Sequence, residues 1–168
     1  MPGCTLKTEF RPATAKDTDL LLNLATTIWN LHFPGIISQK QINYMLNEMY
    51  TAPAIKREIA AGVKWQIIYY NEQPAGYFSY SMMCADICKL HKIYVHPSYH
   101  GMGIGRKAFS MVREYARENR AKKIVLNVHR NNKKAIFAYM RFGFKIENEE
   151  NTCFGPFMLN DFQMEFFL

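Results

Sequence analysis

The chain has 168 residues, of which 49% are hydrophobic and 14% aromatic, and its formal charge is +7. This composition excludes intrinsic disorder and can supply one substantial core, so we predict a single domain spanning residues 1–168. The positive charge suits an anionic ligand. Because the sequence has no run of five Lys or Arg and no nucleic-acid-binding motif, we expect no nucleic-acid partner.

The N-terminus has no apolar signal core, and no stretch of the chain reaches about 20 apolar residues. We therefore expect neither secretion nor a membrane partner. The four cysteines (Cys4, Cys84, Cys88 and Cys153) form no CxxC pair and are most simply reduced thiols. A cytoplasmic protein without a metal site is the expectation.

Taken in chain order, the first third of the sequence predicts one strand and three helices. Residues 5–11 alternate as a strand does, and residues 39–49 and 54–61 have the pattern of short amphipathic helices. Residues 16–31 predict a longer first helix, whose apolar stripe would be Leu20, Leu24, Ile28 and Leu31.

After residue 64 the pattern changes to strands mixed with two helices. Helices are predicted at 103–119 and 133–142, and strands at 65–70, 75–82, 86–95, 124–128, from 144, and at 162–168. This order predicts an α/β or α+β fold with a mixed sheet.

Residues 91–107, HKIYVHPSYHGMGIGRK, join an extended run to a helix through three closely spaced glycines. Gly101, Gly103 and Gly105 permit positive φ and let a ligand approach main-chain N–H groups. A helix beginning near Gly103 adds unpaired N–H groups and the positive end of its dipole. The stretch predicts a site for a phosphate-like anion, and a glycine-rich turn without a ligand is the simpler alternative.

Two other nucleotide-binding motifs compete for the same glycines. Residues 103–108, GIGRKA, satisfy the GxGxxA pattern of a dinucleotide fold, but the next strand ends in His129 and Arg130. That fold needs an acidic residue there to bind the ribose. The GxxxxGK[ST] phosphate loop is absent from the sequence, so neither motif explains the glycines.

A second informative stretch, residues 127–144, reads NVHRNNKKAIFAYMRFGF. Its apolar residues recur at i, i+3, i+4 and i+7, and so predict one helical face made of Ala135, Ala138, Tyr139 and Phe142. Either Tyr139 is a core tyrosine whose hydroxyl bonds to the backbone, or the hydroxyl serves a site.

Together the two stretches resemble the GNAT family of N-acetyltransferases. Residues 100–105, HGMGIG, match the Arg/Gln-x-x-Gly-x-Gly/Ala loop of that family, with His100 where Arg or Gln is usual. Residues 132–144, NKKAIFAYMRFGF, match its second motif, Asn-x-x-Ala-x-x-x-Tyr-x-x-x-Gly-Phe. The resemblance is strongest over residues 90–144 and extends to the rest of the chain in element order.

The resemblance implies the fold and the co-substrate. The fold would be α/β (α+β): a mixed, mostly antiparallel sheet of six to seven strands with a splayed central pair, flanked by four to five helices. The co-substrate would be acetyl-CoA, and no metal would be needed. The family often dimerises, so a homodimer is compatible with the resemblance.

The resemblance also assigns residues to the co-substrate. The backbone of Ile93, Tyr94 and Val95 would bond to the pantetheine arm, and Asn132 would make a further contact. Tyr139 would direct its hydroxyl at the thioester sulfur and give the departing thiolate a proton. The pyrophosphate would lie on the loop made of His100, Gly101, Met102, Gly103, Ile104, Gly105 and Arg106.

The implied reaction is direct transfer of the acetyl group to an amine. An alkylammonium of pKa about 10 has no lone pair, so it must first lose a proton to a general base. Relatives commonly carry a carboxylate where this chain has His91, and an imidazole could take that role through water. On a regular strand His91 would share a face with Ile93 and Val95. Alternatively, His91 packs on the sheet with one nitrogen bonded to a neighbour.

The ends of the chain, at residues 27–33 and 157–164, are similar to a bacterial subgroup related to the spermine/spermidine N-acetyltransferases. The expected acceptor is therefore a small-molecule amine such as a polyamine or diamine. Trp29 and Phe33 would line its pocket or simply pack on the sheet. Carboxylates that could attract a polyamine, unless they are ordinary surface charge, are Glu147, Glu149, Glu150 and Asp161.

Two other functions stay open on the sequence. The N-terminus or a lysine of a protein could be the acceptor if the molecule has an open groove. A non-catalytic acyl-CoA-binding module is disfavoured by Tyr139, but loss of the base would permit it.

Overall fold

The computed structural model describes residues 7–168, so Cys4 and the first two positions of the predicted first strand lie outside it. Short 3-10 turns at Ala15–Asp17 and Pro97–Tyr99 precede the first and fourth helices. No helix within the described range is long and apolar enough to cross a membrane. The strands within this range are β1 (Thr8–Pro12), β2 (Lys64–Tyr70), β3 (Gln73–Cys84), β4 (Ile87–Val95), β5 (Lys123–His129), β6 (Lys145–Phe154) and β7 (Phe157–Phe167), and the α-helices are α1 (Thr18–His32), α2 (Gln39–Met49), α3 (Ala52–Ala60), α4 (Ile104–Glu118) and α5 (Lys133–Phe142).

Two helical layers cover opposite faces of one mixed sheet. The strand order is β1-β2-β3-β4-β5-β7-β6, and every neighbouring pair is antiparallel except β4 and β5. Helices α1, α2 and α3 pack on one face around Trp65 and Tyr77. Helices α4 and α5 pack on the other face around Phe78 and Leu126. The predicted α/β fold with a mostly antiparallel sheet is confirmed.

The buried side of α1 differs from the predicted stripe. Leu31 is 56% exposed, whereas the indole N–H of Trp29 donates to the Tyr77 hydroxyl in β3 at 3.1 Å. The apolar residues of this helix form two adjacent stripes, so helical periodicity alone does not show which stripe is buried. Packing against β3 selects the stripe made of Leu21, Ala25, Ile28 and Trp29.

The central parallel pair separates along its length. Strands β4 and β5 pair only over residues 87–89 and 123–125. Beyond that point β4 continues to pair with β3 and β5 with β7, while a gap opens between β4 and β5. Backbone N–H and C=O groups that face the gap therefore have no strand partner. This gap is the splayed central pair that the resemblance implied.

A β-bulge in β4 lies beside the gap. Leu90 pairs with Tyr80 of β3, and Lys92 pairs with Ser79, which directly precedes Tyr80. His91 is therefore an extra residue in β4. An extra residue in one strand shifts the side-chain alternation beyond it by one position.

The bulge makes the predicted placement of His91 wrong. Ile93 and Val95 pack with the α4–α5 side of the sheet. His91 instead contacts Ser81, which alternation places on the α1–α3 side because its neighbour Tyr80 packs on the other. His91 therefore faces the opposite layer from Ile93 and Val95.

Strands β6 and β7 form a long hairpin that packs against α2. The ring of Tyr44 packs against Phe154 and Phe157, with centroid distances of 5.8 and 5.5 Å. At the turn, Gly155 has φ +56°, and a Cβ there would lie 1.9 Å from the Tyr44 hydroxyl oxygen. A side chain at this position would push the Tyr44 ring away, so glycine permits the close contact between the hairpin and α2.

Candidate active site

A cavity of about 1080 Å³ follows the gap between β4 and β5. One end is lined by the glycine loop and by α5, and the other by α1, α2 and the β6–β7 hairpin. A channel that reaches both helical layers can hold a long ligand with its two ends in different surroundings.

The glycine loop presents unpaired amides at the first end. Gly101 and Gly103 adopt φ of +79° and +75°, and Gly103 is the N-cap of α4. The first helical bond here runs from the Lys107 N–H to the Gly103 carbonyl. The amides of residues 101–106 have no backbone partner in the described part of the chain. They fit the oxygens of a pyrophosphate, which accept such bonds.

Cationic side chains surround these amides. Arg106, Lys134 and Arg141 line the same end of the cavity. The side chain of Met102 is 47% exposed and does not line the cavity, so only its amide is available to a ligand there. A ligand at the loop can therefore contact its backbone amides and the neighbouring positive charges.

The backbone of β4 faces the gap at alternate residues. The His96 N–H donates to the Ala75 carbonyl of β3 at 2.7 Å. Because backbone groups alternate direction along an antiparallel pair, Tyr94 also directs its backbone at β3. Ile93 and Val95 direct theirs into the gap. Of the three predicted backbone contacts, Ile93 and Val95 are therefore placed to bind a ligand, and Tyr94 reaches the cavity with its side chain.

His100 ties the end of β4 to α5. Its Nε2 lies 2.7 Å from the Val95 carbonyl oxygen, and its Nδ1 lies 2.7 Å from the Lys134 ammonium. A carbonyl only accepts, so Nε2 carries the proton and Nδ1 accepts from Lys134. The imidazole that replaces the usual Arg or Gln holds the loop and orients a cation at the cavity.

Asn132 caps α5 from a buried position. Its Oδ1 accepts from the Ala135 N–H at 3.4 Å and lies 3.2 Å from His32 Nε2. The side-chain amide nitrogen has no partner in the described part of the chain and can donate into the cavity. Burial lowers the pKa of His32, so this imidazole is a neutral donor at pH 7. His32 was not among the predicted site residues.

Tyr139 lies on α5 at the wall of the cavity. Its ring packs near Phe142 and Phe144, with centroid distances of 6.4 and 5.9 Å. No hydrogen-bond partner is present for its hydroxyl among residues 7–168. Burial raises the pKa of Tyr139, so the phenol stays protonated at neutral pH. Such a hydroxyl can donate to a group in the cavity, as the second of the two alternatives for Tyr139 requires.

His91 lies at the bulge, also on the cavity wall. Its Nε2 is 2.8 Å from the Ser81 hydroxyl oxygen, so one nitrogen is bonded to a neighbour. Partial burial, together with the positive charges of Lys92 and Lys89, lowers the pKa of His91 to about 4. The imidazole is therefore neutral at pH 7 and able to accept a proton, but it is a weaker base than an ordinary histidine.

A buried ion pair adjoins His91. The Lys92 ammonium lies 3.0 Å from the carboxylate of Glu58, which also accepts from the Trp65 indole N–H at 3.0 Å. The Lys92 side chain is only 6% exposed. Burial lowers the pKa of Lys92, and Glu58 opposes that shift. Neither residue was predicted from the sequence, because Glu58 on α3 and Lys92 on β4 meet only when α3 packs on the sheet.

Trp29 and Phe33 form an aromatic wall at the second end of the cavity. Their ring centroids are 4.4 Å apart, and both residues are buried. Both line the cavity and also pack on the sheet. Tyr94 continues this wall, with its centroid 5.6 Å from that of Trp29.

The candidate carboxylates occupy different surroundings. Glu149 pairs with Arg130 at 3.2 Å, and Glu150 accepts from the Asn127 side chain at 2.6 Å. Glu147 is exposed on β6 and does not line the cavity. Of these predicted residues, only Asp161 lines the cavity.

The family model for acetyltransferases of the GNAT family matches residues 28–144. A spermidine N(1)-acetyltransferase of Thermoplasma acidophilum is 22% identical over 151 residues, which cover 87% of this chain and 93% of that protein. The crystal structure of PaiA N-acetyltransferase from the same organism, in complex with coenzyme A, superposes with a TM-score of 0.84 at 22% identity, covering 96% of this chain and 99% of that one. An acetyltransferase from Thermus thermophilus superposes with a TM-score of 0.68 at 19% identity, over 97% and 98% of the two chains.

Proposed function

Because this chain belongs to the GNAT acetyltransferase family and is an acetyl-CoA-dependent N-acetyltransferase, we propose that its acceptor is a small-molecule amine of the polyamine or diamine class. The distant spermidine acetyltransferase supports this acceptor class. The observation that carries the proposal is the second end of the cavity, which is lined by aromatic rings and by two carboxylates, Glu58 and Asp161, of which Glu58 is paired with Lys92.

Acetyl-CoA supplies an activated acetyl group. In our proposal the amides of residues 101–106 hold its pyrophosphate, with Ile93, Val95 and Asn132 along the pantetheine. The amine nitrogen attacks the carbonyl carbon and forms the C–N bond as the C–S bond breaks. The proton of the amine passes to His91, directly or through water, and Tyr139 donates to the departing sulfur.

The contact between α2 and the β6–β7 hairpin favours a small acceptor over a protein. Gln41 and Met45 of α2 and Phe154 and Leu159 of the hairpin line the second end of the cavity. Tyr44 joins the same two elements over Gly155. A polypeptide crossing the site would need these elements to separate, whereas an unbranched amine would not.

We expect Gly155→Ala to weaken acceptor binding. The added Cβ would displace the Tyr44 ring and open the contact, so KM for the amine should rise several-fold while acetyl-CoA affinity stays unchanged. Gly62→Ala is the matched control, because Gly62 has φ +92° and a Cβ there meets nothing within 4 Å. Equal KM changes in the two variants would show that the contact does not shape the acceptor site.

The role of His91 predicts the pH dependence of the reaction. As pH falls, protonation of His91 removes the base, so kcat/KM should decline through pH 4, the value to which the His91 pKa is lowered. His91→Gln should remove this limb and lower the rate substantially. A His91→Gln enzyme with wild-type rate and pH profile would mean that the proton leaves by another route.

The experiment that tests the proposed function is release of free thiol from acetyl-CoA in the presence of different acceptors. Polyamines, monoamines, lysine-containing peptides and peptides with free N-termini would be compared at equal concentration. We expect release with polyamines and diamines above all others. Release with peptides alone would establish a protein acceptor instead, and binding of acetyl-CoA without any release would indicate a non-catalytic module.

A further inference from the structure

We propose that Asp161 selects acceptors with a second positive charge by binding an ammonium group other than the one that is acetylated. This inference rests on the proposed function and names the residue that would set its substrate preference.

Asp161 belongs to the acceptor side of the sheet. It lies on β7, opposite His129 of β5 and Glu150 of β6. Its neighbour Phe162 packs toward α4 and α5, so alternation directs Asp161 toward the layer of α1–α3. Leu159, two residues earlier, shares this direction and packs with that layer. The Asp161 carboxylate therefore faces the end of the cavity that the aromatic rings enclose.

Asp161 is a carboxylate without a bonded counter-charge. The other carboxylate on the cavity wall, Glu58, is neutralised by Lys92 at 3.0 Å. The nearby Arg130 pairs with Glu149 at 3.2 Å, and no ion pair or hydrogen bond to the Asp161 side chain is found among residues 7–168. Burial and the Glu150 carboxylate raise the pKa of Asp161, and the more distant charges of Arg130 and Lys89 oppose this shift only in part. A cationic ligand would relieve this unfavourable burial of negative charge.

The chemistry of the reaction decides which nitrogen Asp161 can hold. A carboxylate stabilises an adjacent ammonium and raises its pKa, so it opposes the deprotonation that the attacking amine needs. The surroundings of His91 disfavour a positive charge, because burial, together with the charges of Lys92 and Lys89, lowers the pKa of the imidazole. The same surroundings would favour a neutral amine there. One end of the acceptor would thus be held as a cation by Asp161 while the other loses its proton near His91.

The test compares putrescine with butylamine, which share a carbon chain and differ in the second amine. Asp161→Asn should lower kcat/KM for putrescine about 10- to 100-fold, the usual worth of a hydrogen bond to a charged group, chiefly through KM. The kcat/KM for butylamine and the calorimetric affinity for acetyl-CoA should not change. Glu147→Gln is the control, because it removes a carboxylate of β6 that does not line the cavity.

Equal losses for both amines in Asp161→Asn, or no loss for either, would overturn the role of Asp161 and leave the proposed acceptor class in place. The same loss in Glu147→Gln would also overturn it, because a diffuse surface field would then explain the preference. If the wild-type protein acetylates neither amine, the proposed function fails first, and this inference fails with it.

Discussion

Tyr139→Phe should lower kcat by about 10²–10⁴-fold, the range typical of a lost general acid, and leave acetyl-CoA affinity unchanged. The substitution removes one hydroxyl from the cavity wall and keeps the ring that packs on Phe142 and Phe144. Because burial raises the pKa of Tyr139, the phenol remains protonated up to alkaline pH. The deficit should therefore be the same at pH 6 and pH 8. Single-turnover rates and calorimetry with acetyl-CoA measure the two effects separately.

Tyr115→Phe is the matched control for this prediction. Tyr115 lies on α4, where its ring packs on Tyr80 at a centroid distance of 4.9 Å, and it does not line the cavity. The control should retain full activity. A Tyr139→Phe enzyme with wild-type kcat would show that Tyr139 is a core residue whose hydroxyl is dispensable.

Gly103→Val should abolish acetyl-CoA binding at concentrations that saturate the wild-type protein. The residue has φ +75°, a conformation that a β-branched side chain rarely adopts, so the loop would have to change shape. A change of shape misaligns the amides of residues 101–106, and the isopropyl group occupies space in front of them. Calorimetric titration with acetyl-CoA measures the effect.

Gly62→Val is the control that distinguishes loss of the binding site from loss of the fold. Gly62 has φ +92°, a Cβ there meets nothing within 4 Å, and it does not line the cavity. Both variants should lose a similar part of their thermal stability, since a left-handed conformation costs a non-glycine residue about 1–2 kcal/mol. Only Gly103→Val should lose binding. Unchanged acetyl-CoA affinity in Gly103→Val would remove the loop from the site.

The parts of the molecule that local signals specify were predicted well. The bounds of α5 were predicted correctly, because Asn132 caps the first turn and Gly143, at φ +108°, ends the last. Positive φ was also predicted correctly at Gly101 and Gly103, whereas Gly105, for which it was expected too, lies within α4 and does not have it. In both places the deciding contacts lie within a few residues along the chain.

The features that depend on pairing between distant segments were not predicted. The bulge at His91 follows from the register of β4 against β3, and it reversed the side that the imidazole faces. The end of β6 was not predicted, because an exposed edge strand has no apolar alternation, and β7 begins at Phe157 instead of the predicted residue 162. Asp161 has no bonded counter-charge partly because Arg130 pairs with Glu149 and Lys92 pairs with Glu58. These ion pairs join distant segments of the chain, so the sequence does not show them.

The most direct test of the catalytic arrangement is a crystal structure of the protein with acetyl-CoA. We predict that the pantetheine lies in the gap between β4 and β5, bonded to the backbone of Ile93 and Val95. The thioester sulfur should lie within hydrogen-bond distance of the Tyr139 hydroxyl, with the carbonyl carbon facing the end of the cavity that contains Asp161. A pantetheine outside the gap, or a sulfur remote from Tyr139, would contradict the arrangement.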